Sequence, residues 1–157
     1  MTPKVKALLD QAGVPYEVVR HAPAYTAQQR AATAHIPGRR VAKVVLVRDG
    51  EWFGMAVLPA PAQLDVEALA RASRRERVRL AAESEFVHLF PDSEPGAMPA
   101  FGRLYGLEVF LDRALAEASE LVFPSGSHGE EIRMAVSDYI RLAEPTIAGI
   151  STLSRAA

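Results

Sequence analysis

Two apolar runs, VAKVVLVR (residues 41–48) and EWFGMAVL (residues 51–58), flank the dipeptide Asp49-Gly50. Asp-Gly between runs of β-branched and aromatic residues is a strong two-residue hairpin signal. A hairpin constrains a fold more than any other local feature, because it sets strand direction, pairing and the face each side chain takes. With Asp49-Gly50 as the loop, Arg48 faces Glu51, Val45 faces Gly54 and Lys43 faces Ala56. Alternation puts Lys43 on the face of Val41, Val45 and Val47. Its neighbours across the hairpin are then glycine and alanine, and glycine inside a strand often marks the close approach of a ligand. The expected geometry is a lysine pointing into a cleft, with open space above Gly54 and Ala56.

The other elements follow from caps and breakers. Thr2-Pro3 starts a helix that Gly13 stops, over residues 3–12. Residues 16–20 read as a strand, and Thr26 to Gln29 has the spacing that opens a helix to about His35. Asp65 caps a helix over 66–72; a short strand near Val78 and a helix over 84–89 come next. Prolines and glycines make residues 91–102 a loop. Strands are expected at 107–112, 120–124 and 131–136, then a helix capped by Ser137 and ended by Pro145. Hairpins mixed with dispersed helices predict one α+β domain over residues 1–157, with a mixed, mainly antiparallel sheet flanked by helices.

Composition removes several function classes. The absence of cysteine excludes disulfides, thiolate zinc sites and a cysteine nucleophile. His21, His35 and His88 show no metal-ligand spacing, so no metal or cofactor is expected. No apolar run is long enough for a bilayer, and the N-terminal MTPKVKALLDQAG is too charged for a signal peptide, so the expected location is cytoplasmic, with no membrane partner. A net charge of -1 argues against bulk coating of nucleic acid. It leaves room for a local patch, and ARASRRERVRL (residues 70–80) offers Arg71, Arg74 and Arg75 as phosphate contacts. Taken alone, such a run reads first as a solvated helix end and connector.

Lys43 admits three readings on local pattern alone. It snorkels to water at a sheet edge, it forms an imine as a desolvated nucleophile, or it stays charged and holds an anion or polarises a carbonyl. Two glycine-bounded loops are candidates to face it. One is GAMPAFG (96–102), whose Gly96, Ala97, Met98, Pro99, Ala100 and Phe101 could present backbone N–H groups. The other is SGSHGEE (125–131), where Gly126 and Gly129 bracket Ser127 and His128. Ser127 and His128 do not make a hydrolase triad: they are neighbours in sequence, no G-x-S-x-G elbow exists and no acid is placed.

Three ordered stretches, HAPAYTAQQRAATAHIPGRRVAKVVLV, LFPDSEPGAMPAFGRLYGLEVFLD and VFPSGSHGEEIRM, resemble the YbaK / prolyl-tRNA synthetase-associated editing-domain family from about Val14 to Leu142. Members are aminoacyl-tRNA deacylases, free-standing or built into a synthetase, acting most often on tRNA for proline. The resemblance implies that Lys43 is the family's functional lysine and that Gly96 to Ala100 is its substrate loop. Gly126, Ser127 and His128 match the segment lining the same pocket, and His21, Tyr25 and Thr26 the segment at its mouth. Lys43, Gly96 and His128 are thus the expected catalytic residues, and the third reading of Lys43 is preferred. Two departures stand out: Ala100 replaces a second loop proline, and Arg39 stands where some alanine-editing members carry asparagine. The implied function is trans-editing of tRNA for proline carrying a small non-cognate amino acid, with a synthetase as a possible partner. The alternatives are a non-catalytic tRNA- or synthetase-binding module and a lysine-imine enzyme.

Overall fold

A computed structural model describes residues 1–20 and 41–154. The first helix, α1 (Pro3–Ala12), begins at Thr2, whose hydroxyl accepts from the Val5 N–H, and ends where Gly13 turns left-handed at φ 67°. Strand β1 (Tyr16–Arg20) follows. The hairpin strands are β2 (Ala42–Asp49) and β3 (Trp52–Pro59). After them come α2 (Val66–Ser73), β4 (Arg79–Leu80) and a short α3 (Glu83–Phe86) that tightens into a 3₁₀ turn over Val87–Leu89. The chain closes with β5 (Glu108–Asp112), α4 (Arg113–Ala116), β6 (Glu120–Pro124), β7 (Glu130–Ala135), α5 (Val136–Ala143) and β8 (Thr146–Ala148). The helix expected from Thr26 lies outside the described residues.

Two sheets result, ordered β1-β7-β6 and β4-β2-β3-β5-β8. The first is antiparallel; in the second, β5 runs parallel to both β3 and β8. An isolated parallel bridge between Val41 and Val122 joins the start of β2 to β6. The fold is α+β with mixed sheets, as the element pattern implies. Alternation along β2 also holds: Ala42 and Leu46 enter a large core shared with α1, β6, β7 and α5, while Val47 joins Ala56, Leu58, Leu69 and Phe110 on the opposite face.

The hairpin register departs from expectation by two residues. Asp49 pairs with Trp52, Val47 with Gly54, Val45 with Ala56 and Lys43 with Leu58. The loop is Gly50-Glu51 rather than Asp49-Gly50. Gly50 takes a left-handed φ of 58° while Glu51 does not, which is the Gly-X pattern of a two-residue hairpin. An even shift preserves the faces and changes the partners. The space above Gly54 is also filled: a Cβ there would lie 2.5 Å from the Trp52 ring. The small-residue floor expected beneath Lys43 is therefore absent.

The last helix starts two residues earlier than a cap at Ser137 implies. Ala135 precedes its first residue without a side-chain cap, and the Val136 N–H donates to the Ser119 carbonyl instead. Beyond it, the buried Asp112 gathers the segment after β8. Its carboxylate accepts from the Ile150 N–H and from the hydroxyls of Ser151 and Ser154, all within 2.8–2.9 Å. Removing this acceptor in Asp112→Ala leaves several buried donors unsatisfied and should destabilise the fold by about 3 kcal/mol. An unchanged urea midpoint would contradict that role.

Candidate functional site

The loop over residues 96–101 is held from inside. Met98, Ala100 and Phe101 are buried in the main core and Ala97 is buried beside them in sequence, whereas Gly96 is exposed. Tyr139 of α5 donates its hydroxyl to the Ala100 carbonyl at 2.5 Å, and its ring packs against Phe101 and Phe123 with centroids 5.2 and 5.7 Å away. Gly96 adopts φ 82°, a conformation that favours glycine. Its N–H donates to the Met98 Sδ at 3.3 Å, and the Ala97 N–H to the Glu94 carbonyl at 3.0 Å. Those two amides are engaged. The N–H groups of Met98 and Ala100 meet no acceptor among the described residues. Any anion-binding amides of this loop therefore lie beyond Ala97, at Met98, Ala100 or Phe101, rather than at Gly96.

The structure brings the second loop against the first. Glu94 donates its N–H to the Gly126 carbonyl at 2.8 Å, and His128 donates from Nε2 to the Pro95 carbonyl at 2.8 Å. A Cβ at Gly96 would stand 3.4 Å from the His128 ring. Gly126, at φ 117°, leaves room for Thr2, whose methyl would lie 2.4 Å from any added Cβ. The Thr2 N–H also donates to the Ser125 carbonyl, so the start of α1 buttresses this loop. Thr2 reads in sequence only as a helix cap and Glu94 carries no motif signal; only the close approach required at Gly126 hints at such neighbours.

Lys43 is joined to this pair of loops through the strands. Two residues beyond the Val41–Val122 bridge stand Lys43 on β2 and Pro124 on β6, and Pro124 leads directly into Ser125–His128. By alternation the Lys43 side chain takes the face of Val45 and Val47, while Met98, Ala100 and Phe101 enter the core on the other face. Lys43 is half-buried and makes no hydrogen bond or ion pair among the described residues. Burial pushes its pKa below the ordinary 10.5. A partly desolvated ammonium without a counter-charge is suited to an anion that arrives with a ligand. His21, Tyr25, Thr26 and Arg39 lie outside the described residues.

The arginines divide into two groups. Arg48 and Arg79 both pair with Glu85 at 2.8 Å, which holds that carboxyl down to about 2. Arg103, Arg133 and Arg141 also have acidic partners. Arg71, Arg74 and Arg75 have none among the described residues and are exposed. Arg74 caps α2 in a left-handed conformation at φ 60°, and Arg75 stacks 4.4 Å over the Trp52 ring. Together with Arg77, Ser73 and the acidic Asp49 and Glu76 they line an open notch of about 520 Å³. It lies beside the hairpin loop, six residues along β2 from Lys43, or about 20 Å at ~3.3 Å per residue.

The chain belongs to the aminoacyl-tRNA editing-domain family, the YbaK family: the sequence model of that domain matches residues 21–142. Comparison with curated proteins gave no match. Among solved structures, a hypothetical protein superposes with a TM-score of 0.85 at 19% identity, covering 94% of this chain and 99% of its own. A candidate trans-editing enzyme for prolyl-tRNA synthetase gives 0.82 at 19% identity, with 96% and 98% covered. A candidate signal-transduction protein from Marinobacter aquaeolei VT8 gives 0.74 at 20%; 96% of this chain corresponds to 31% of that longer one. These likenesses establish the fold, and the family match supports a tRNA-editing role. No helix among the described residues is long and apolar enough to cross a membrane.

The partial burial of Lys43 has a measurable consequence. A lysine whose folded pKa is depressed destabilises the folded state at neutral pH, and the penalty fades as pH rises from the folded pKa toward 10.5. Lys43→Met keeps the stem and removes the charge. It should raise stability at pH 7 by up to about 1 kcal/mol, with the gain shrinking toward pH 10. Thermal unfolding across that range checks it, and a less stable variant at pH 7 would contradict it.

Proposed function

We propose that this protein is a cytoplasmic aminoacyl-tRNA deacylase that hydrolyses the ester of a mischarged amino acid, with tRNA for proline carrying a small residue as the substrate. The observation carrying this reading is the half-buried Lys43, without a partner among the described residues, on a strand bridged to β6, which runs into the interlocked glycine loops, in a chain of the editing-domain family. An aminoacyl ester is already activated, so its hydrolysis needs a positioned water and charge stabilisation more than a strong nucleophile. Lys43 supplies a fixed cation for the terminal phosphate or the ester carbonyl. The Met98 and Ala100 amides supply donors for the developing oxyanion, and Gly126 to His128 bound the amino-acid side of the site. The substrate's own 2′-hydroxyl helps to activate water, which removes the need for a side-chain base.

The arginine notch fits a second role in the same reading. At about 20 Å from Lys43, it suits phosphates further along the acceptor arm while the 3′ end occupies the site. A non-catalytic binding module is the second reading. It is favoured by the longer signal-transduction protein, in which a domain of this fold forms only 31% of the chain.

Deacylation of alanyl-, cysteinyl-, seryl- and threonyl-tRNA, with proline and cognate acceptors compared, separates the two. Turnover of at least one mischarged species is expected; binding without turnover selects the module. Lys43→Ala should lower kcat/KM by one to three orders of magnitude, at about 1.4 kcal/mol per tenfold, with the fold intact. Wild-type rates would remove Lys43 from the site. Arg74→Glu combined with Arg75→Glu should raise KM more than it lowers kcat, and most strongly at low salt. A double variant with wild-type KM at low salt would make the notch a solvated face.

A further inference from the structure

Glu94 lies outside the residues that the sequence pattern assigns to the site, yet it sits at the junction of both loops. Its N–H donates to the Gly126 carbonyl at 2.8 Å, and its carboxylate accepts from the His128 N–H at 3.4 Å. Its own carbonyl accepts from the Ala97 N–H at 3.0 Å, closing the turn that presents Gly96. The next residue, Pro95, accepts from the His128 ring at 2.8 Å. Residues 94 and 95 thus hold the histidine loop at its Gly126 carbonyl, at the His128 amide and at the His128 ring.

The last of these bonds has a chemical consequence. A carbonyl oxygen only accepts, so the bond to Pro95 requires the proton on Nε2. Neutral His128 is then the Nε2–H tautomer, and Nδ1 carries the lone pair. If the two loops were free to slide, either ring nitrogen could carry the proton, and the state of the ring would be undefined.

We propose that Glu94 is a positioning residue: it clasps the glycine loop to the histidine loop and so holds His128 as the Nε2–H tautomer. This rests on the deacylase reading for its effect on rate, but not for its effect on His128. Glu94 is exposed and its carboxylate bond is long, so the expected effect is modest. Arrangement of a site before substrate arrives is worth rate even when the group doing it touches no substrate.

The test uses the full chain labelled with ¹⁵N and reads the His128 ring by long-range ¹⁵N–¹H correlation without tRNA, beside deacylation kinetics. The wild type should show a single Nε2–H tautomer. Glu94→Ala, and Glu94→Asp with its shorter reach, should show a tautomer mixture and a kcat about tenfold lower, with KM changed less than twofold. Glu94→Gln retains an acceptor oxygen and should keep both properties. Unchanged ring signals in Glu94→Ala overturn the proposal whatever the rates. Altered ring signals with wild-type kcat overturn the positioning role. If the wild type hydrolyses none of the tested aminoacyl-tRNAs, the deacylase reading fails while the ring signals still decide whether Glu94 sets His128.

Discussion

The Tyr139 hydroxyl, donating to the Ala100 carbonyl, is the contact on which the rest of the arrangement depends. Residues 97–101 run through the interior, and a buried carbonyl without a partner would cost about 1–3 kcal/mol. Tyr139 removes that cost and adds an aromatic cluster with Phe101 and Phe123, so one helix, one loop and one strand are fixed together. Full burial raises the phenol's pKa far above its ordinary 10, so the group remains a donor wherever the protein is folded. With the loop's far end immobilised in the core, Gly96 is left as its exposed tip. The tip meets His128 because Glu94 and Pro95, just before it, are bonded to the histidine loop.

Much of this was legible in residue order, and the failures have physical causes. Caps and breakers located α1, α2 and most strands, because Thr2, Gly13 and Asp65 act within a few residues of themselves. The hairpin was legible in kind but not in register: Asp-Gly has two ways to be a loop, and only glycine's left-handed φ at the first loop position selects Gly50-Glu51. That two-residue slip moved Gly54 and Ala56 away from Lys43 and put Leu58 opposite it. The slip is invisible to periodicity because it leaves each face unchanged. Strand β8 was missed for a different reason. It is three residues long and held by β5 and the distant Asp112 network, none of which leaves a local pattern.

The two glycine loops were legible as segments, but their geometry was not. Glycine spacing singled out both loops, and the structure does bring them together. What could not be read was which amides remain available. Gly96 was the natural choice for an anion-binding N–H, yet a thioether two residues away takes it. The same limit applies to the arginines: sequence shows a run of them, whereas only the fold shows that Arg79 is neutralised by Glu85 and that Arg71, Arg74 and Arg75 have no acidic partner among the described residues.

Two charged side chains of this protein show how burial separates scaffold from site. Asp112 is fully buried, yet its oxygens are met by backbone and hydroxyl donors, so its charge is solvated by the protein itself. That arrangement ties β5 to the chain's end and leaves nothing for a ligand to do. Lys43 is less buried and has no such shell among the described residues, so its charge is the less well solvated of the two. A structural lysine in that position would gain from an acidic neighbour, and its strand offers only Leu58 across the ribbon. Left without a partner among the described residues, the ammonium makes the protein less stable than it need be and is a place where an incoming anion would gain. On the proposed reading the acceptor end of a mischarged tRNA supplies the missing charge, so substrate binding relieves an electrostatic penalty that folding leaves in place.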